Sequence, residues 1–85
     1  MLVLRIYSIF DSKIPAFNSP FTMRSEAEAI RGFSEVANDN GNNICRFAED
    51  YTLFELGTFD VVTGMINALP TPVAITKAIS VRKSE

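Results

Sequence analysis

The stretch Glu49-Asp50-Tyr51-Thr52-Leu53-Phe54-Glu55-Leu56-Gly57-Thr58-Phe59-Asp60-Val61-Val62-Thr63-Gly64 decides how this chain folds. An aromatic, β-prone run leads into a turn rich in Asp and Gly, and a second apolar segment follows, which is the pattern of a β-hairpin. Side chains alternate along a strand, so Tyr51, Leu53 and Glu55 point to one face and Thr52, Phe54 and Leu56 to the other. Both faces are largely apolar, so each needs a cover or something to hold. Gly64 supplies the positive φ that such a turn requires, and Asp60 is placed to accept from amides two or more residues on. The strands fall near 51–57 and 64–69, with Pro70 and Pro72 ending the second.

Upstream, residues 2–10 are rich in β-branched and aromatic types and form another strand. Leu2, Leu4, Ile6 and Phe10 share one parity, and Val3, Arg5, Tyr7 and Ile9 the other. The even side is the better core face, which leaves Arg5 and Tyr7 toward solvent or a ligand. Asp11-Ser12-Lys13 is a polar turn. Pro15 and Pro20 bar residues 14–23 from a regular central strand, so this segment is an extended edge or an ordered loop pinned by Phe17 and Phe21. Ser25-Glu26-Ala27-Glu28 is a capping box, in which Ser25 accepts from the Glu28 amide and the Glu28 carboxylate returns a bond to Ser25. The helix that starts there carries an apolar stripe of Ala29, Ile30, Phe33 and Ala37 beside Val36, with Glu28, Arg31 and Glu35 outward.

The run Asn38–Asn43, with Gly41 as a left-handed cap, ends this helix and reads as a mobile loop. Ile44–Phe47 adds a short extended piece. Val73–Val81 is ambiguous between a short helix and a last strand, and a weak helix or irregular tail is favoured. The fold expected is α+β, a small antiparallel sheet of three to four strands with one main helix packed on one face. It forms a single domain over residues 1–85 with its core in about 1–69.

A chain of 85 residues supports one core, burying only about 60–65% of its unfolded surface. Its 47% apolar and 11% aromatic content is that of a globular domain. The formal charge of −2 argues against the broad positive field of a double-stranded DNA binder. Local basic groups remain in Arg5, Arg24, Arg31 and Arg46, and near the end in Lys77, Arg82 and Lys83. Cys45 has no partner for an internal disulfide and no His to activate it, so it reads as a small core residue in a reducing compartment. The apolar opening is interrupted by Arg5 and too short to span a bilayer, so no membrane or secretion segment is read and the cytoplasm is the expected location.

Catalytic constellations are thin: the chain has no His, one Cys, no Gly-rich phosphate loop and no metal-ligand spacing. The expectation is a protein that is not an enzyme and takes no cofactor or metal, with Glu49, Asp50 and Asp60 solvated instead of holding a cation. Single-stranded nucleic acid is held by aromatic platforms and modest positive grooves. Arg5 and Tyr7, with Tyr51 and Arg46, would make such a platform if the first strand pairs with the hairpin. The competing reading has Tyr7 and Tyr51 closing the rim of the core with their hydroxyls in water, and Glu49, Asp50 and Glu55 count against the platform. Apolar strands with few charges also favour pairing of two copies into a homodimer.

The chain resembles the small nonstructural protein of the gokushoviruses, a branch of the microviruses, which are phages with single-stranded DNA. The resemblance is carried by Ile9-Phe10-Asp11-Ser12-Lys13, Pro20-Phe21, Glu28-Ala29-Ile30-Arg31-Gly32-Phe33, Glu49 through Asp60, and Thr63-Gly64, and it covers residues 1 to about 69. It implies a protein absent from the virion that acts in the host cytoplasm, in DNA replication or in the switch toward single-strand synthesis and packaging. It transfers no catalytic residue. Two expectations follow. The first is binding of single-stranded DNA by a dimer, with Arg5, Tyr7, Arg31, Arg46 and Tyr51 as contacts. The second is a protein-interaction module that docks on the replication initiator or procapsid through its apolar hairpin face.

Overall fold

In the computed structural model, which describes residues 3–83, the hairpin of the quoted stretch is the centre of the molecule. Its strands are β4 (Tyr51–Asp60) and β5 (Ile66–Lys77), paired antiparallel, and the first strand of the chain, β1 (Val3–Asp11), pairs antiparallel with β4 from Val3 opposite Asp60 to Asp11 opposite Tyr51. Gly64 takes φ 77°, and Asp60 Oδ1 accepts from the amides of Val62 at 2.8 Å and Thr63 at 3.2 Å, which closes the turn as its residues require. The proline-bearing segment contributes two short edge strands, β2 (Ala16–Phe17) and β3 (Phe21–Met23), both antiparallel to β1. The result is a five-stranded sheet in the order β2-β1-β4-β5 with β3 also on β1, one strand more than the largest number expected.

The prolines do not end β5. Gly57 stands opposite Ala68 and Glu55 opposite Val73, so Leu56 alone faces residues 69–72. Pro70 and Pro72 sit in this unpaired excursion of an edge strand, where a missing N–H breaks no ladder bond. The strand then resumes to Lys77 and passes into α3 (Ala78–Val81), so that of the weak helix or irregular tail expected over 73–81 only the last turn is helical and the rest is strand. Ala78 is fully buried, and Ile75 and Val81 pack against the core, which therefore draws on residues well past 69.

Helix α1 (Glu26–Ala37) begins where the capping box places it, with Ser25 Oγ accepting from the Glu28 amide at 3.2 Å. The return bond goes one residue further back: Glu28 accepts from the Arg24 amide at 3.2 Å and from its guanidinium at 3.0 Å. The Arg24 side chain, foremost among these contacts, holds the Glu28 carboxyl below its usual pKa. The polar run after α1 is tied by hydrogen bonds. Asn38 Nδ2 donates to the Ser34 carbonyl at 2.7 Å and the Val81 carbonyl at 3.1 Å, while its Oδ1 accepts from the Lys83 amide at 2.6 Å. Asn42 caps α2 (Asn43–Arg46), which with a 3-10 turn at Ala48–Asp50 replaces the extended piece expected there. Cys45 is buried and free.

The core lies on the odd side of β1, opposite to the side its apolar content favours. Tyr7 and Leu53, both 0% exposed, cluster with Ala29, Phe33 and Ala37 of α1 and with Ala48 and Ala78, and Ile9, Phe21, Met23 and Tyr51 pack around them. Leu4, Ile6 and Phe10 are absent from that cluster; Leu2 lies outside the described residues. Both sides of the strand are apolar enough to be buried; pairing sets Leu53 opposite Ile9 and Glu55 opposite Tyr7, which gathers Tyr7, Ile9 and Leu53 on one face, and α1 covers that face.

Candidate nucleic-acid interface

The pairing of β1 with β4 brings Arg5, Tyr7 and Tyr51 to one face, as a platform would need, but that face is the core side. Tyr7 is wholly enclosed, so it has no surface for a base to stack on and leaves the set of expected contacts. Its hydroxyl is buried without a hydrogen-bond partner, the Arg5 guanidinium lying near but outside hydrogen-bond geometry. Burial pushes the phenol pKa up, and Arg5 opposes the shift. Arg5 lies between Glu26 of α1, at 3.8 Å, and Glu55 of β4, at 3.9 Å, so its charge is already compensated by two carboxylates. Arg31 projects from α1 3.9 Å from Glu35 and shares no surface with the strand residues through any hydrogen bond or ion pair among the described residues. The Arg46 guanidinium sits 5.5 Å from the centroid of the Phe47 ring. Tyr51 is half-buried opposite Asp11, and burial first, then the Asp11 charge, raises its pKa.

The other face of the sheet carries what the strand-by-strand reading missed. Cross-strand partners share a face, and the rows there are Leu4 with Phe59 and Ile66, Ile6 with Gly57 and Ala68, Ser8 with Phe54 and Ala74, and Phe10 with Thr52 and Lys77. Phe17, opposite Phe10, extends the last row at the sheet edge. The rings of Phe10, Phe17 and Phe54 form one cluster, with centroids 4.8 Å apart for Phe10 and Phe17, 5.3 Å for Phe17 and Phe54, and 6.0 Å for Phe10 and Phe54. None of these three belongs to the core or packs against it, and Phe17 is 43% exposed. The rows contain no carboxylate and one cation, Lys77.

Two local devices build this face. The register shift at Leu56 turns the strand over, so that Phe54 and Phe59, of opposite parity in the sequence, come to the same side. Gly57 lets β5 approach: a Cβ there would run into the Asn67 carbonyl oxygen and Ala68 Cα. Ser8 is closed over by the link after β2, its Oγ donating to the Asn18 carbonyl at 2.6 Å. The signal available beforehand was the even parity of Leu4, Ile6 and Phe10; the bulge and the pairing of Phe17 were not.

Among the described residues no group of three or more His, Cys, Asp or Glu is placed to hold a metal ion, and no helix is long and apolar enough to cross a membrane. The family model of the phage ORF5 protein matches residues 4–81, from β1 through α3, and the chain belongs to that family. No curated protein and no solved structure matches the chain.

Proposed function

We propose that this member of the phage ORF5 family is a non-enzymatic, nonstructural protein of a gokushovirus-like phage, binding single-stranded DNA during genome replication or packaging in the host cytoplasm. The observation that carries the reading is the Phe10–Phe17–Phe54 cluster on a sheet face free of carboxylates, in a chain whose net charge is −2. Bases stack on such rings with roughly 1–3 kcal/mol each, whatever their identity. Lys77, at the end of the Phe10 row, supplies a cation for the backbone that such stacking brings close. Segregating carboxylates from this face lets an acidic protein meet a polyanion.

The test is fluorescence anisotropy of a labelled oligonucleotide. Binding is expected to weaken as salt rises, to fall on replacing Phe17 and Phe54 with Ala, and to be indifferent to Arg5→Ala on the opposite face. No binding at low salt with micromolar protein overturns it. That result turns attention to the second reading, a module that docks on the replication initiator, the procapsid or a second copy of itself. The apolar hairpin end favours that reading, with Val62 at 68%, Met65 at 60% and Ile66 at 66% exposure. Light scattering that shows a monomer at high concentration removes the homodimer.

A further inference from the structure

We propose that two copies of this chain join through the outer edge of β5, with Ile66, Asn67 and Ala68 of one copy pairing antiparallel with the same residues of the other. This deepens the second-copy reading of the hairpin end and rests on it; it does not require DNA to bind.

β5 is the last strand in the order β2-β1-β4-β5, so one of its edges has no strand beside it. The turn fixes which backbone groups that edge presents. The Asp60 amide donates to the Met65 carbonyl at 2.9 Å, which makes Asp60 and Met65 a hydrogen-bonded pair. Hydrogen-bonded and non-hydrogen-bonded pairs alternate along an antiparallel ladder, and the register continues with Phe59 opposite Ile66, Thr58 opposite Asn67 and Gly57 opposite Ala68. Asn67 therefore directs its backbone bonds to β4, while the amides and carbonyls of Ile66 and Ala68 point away from it. All three residues are exposed, so these four groups are open to another strand.

Proteins usually guard such an edge with charge, proline or a bulge. Here no charged residue lies between Asp60 and Lys77, and the prolines, Pro70 and Pro72, stand in the unpaired excursion. They stop a ladder from running on along the strand and leave Ile66, Asn67 and Ala68 unguarded. The occupant that suits this edge is a second copy. The chain carries a net charge of −2, so an uncharged strand is where two copies approach without repulsion, and a charged partner finds no counter-charge on it.

Pairing centred on Asn67 sets Ile66 of each copy opposite Ala68 of the other, and the outward groups close four hydrogen bonds. A large side chain then meets a small one, and the two Asn67 amides, each able to donate and accept, face one another across the axis. Beyond the ladder, Met65, 60% exposed, comes beside Leu69 of the other copy. Adjacent antiparallel strands are related by an axis perpendicular to their sheet, so the pair forms one continuous sheet with both Phe10–Phe17–Phe54 clusters on the same side.

Two measurements test the assignment. A non-hydrogen-bonded antiparallel pair holds its Cα atoms about 4.5 Å apart, within the range a disulfide spans. Oxidised Asn67→Cys is therefore expected to run as a covalent dimer on a non-reducing gel and Thr71→Cys, in the excursion, as a monomer; Cys45 is buried. Ile66→Lys puts a charge on the edge at an exposed position and Ala68→Pro removes an outward amide. Each is expected to convert the dimer to monomer in light scattering, with the circular dichroism of the fold kept by Ile66→Lys. A dimer that Ile66→Lys leaves intact, or one that cross-links no better through Asn67→Cys than through Thr71→Cys, overturns the β5 edge and keeps the second copy at another surface. A monomer at high concentration overturns both.

Discussion

The two faces of the β1–β4 ladder are made of similar material and have opposite fates. On one, Tyr7, Ile9 and Leu53 lie under Ala29, Phe33 and Ala37 of α1; on the other, Phe10, Phe54 and Phe59 meet no residue of the core. Apolar content does not choose between them, since the face without the helix also carries the rings of Phe10, Phe54 and Phe59. The choice follows from where the helix is fastened. Arg5 reaches Glu26 in the first turn of α1 from the odd side, and Asn38 at its last turn is bonded to Val81 and Lys83, so both ends of the helix are held over Tyr7 and Leu53. The helix buries one face fully and leaves the rings of the other half-buried, outside the core.

That contrast can be broken most sharply at two adjacent residues of β4. Leu53→Ala should cost about 2–5 kcal/mol by urea unfolding, because it opens a cavity in a packed site. Phe54→Ala should cost less than half as much while weakening oligonucleotide binding by roughly 1–3 kcal/mol, the worth of one stacked base. Similar stability losses for the two would show that both faces are buried. Next in size is Gly57→Ala, which drives a methyl group into the backbone of β5 and should destabilise by about 1–3 kcal/mol, lowering amide protection around Asn67 and Ala68 in hydrogen exchange. Asn38→Ala removes the bonds to Val81 and Lys83 and should cost roughly 1–2 kcal/mol, with amide protection lost first in α3.

The smallest effect is expected at Tyr7. Replacing it with Phe deletes a buried hydroxyl that has no partner, so stability should stay level or rise by up to about 1 kcal/mol; a clear loss would mean the hydroxyl is bonded in solution. The same substitution sharpens the pH response. The phenols of Tyr7 and Tyr51 both have raised pKa values in the folded chain, so the folded state keeps protons that the unfolded state releases. Their contribution is fully present below the unfolded value of about 10 and declines as the pH rises above it. Denaturation midpoints should therefore fall above that pH, and fall less in Tyr7→Phe.

Local chemistry made several elements legible. Ser25 and Glu28 mark the start of α1, Asp60 and Gly64 the hairpin turn, and the apolar spacing of Ala29, Phe33 and Ala37 the helix face that is buried. Each depends on partners within a few residues. Arg5, Tyr7 and Tyr51 were rightly gathered on one side, since alternation and the pairing of two strands suffice for that, but the helix cover excluded Tyr7 as a contact. The run Asn38–Asn43 reads as a mobile loop because the bonds that tie it to the end of the chain, from Asn38 to Val81 and Lys83, reach more than forty positions away.

What the sequence determined by itself is therefore the set of elements and their ends: a first strand, a capped helix, a hairpin, and an apolar content sufficient for one core. Only the tertiary structure decided which side of the sheet that core occupies. Two strands apolar on both sides satisfy alternation equally well either way up, and the Leu56 register shift that brings Phe54 and Phe59 together exists only through pairing with β1 and β5. The half-buried aromatic face is a consequence of that decision, since the helix can cover only one side of a two-sided apolar sheet.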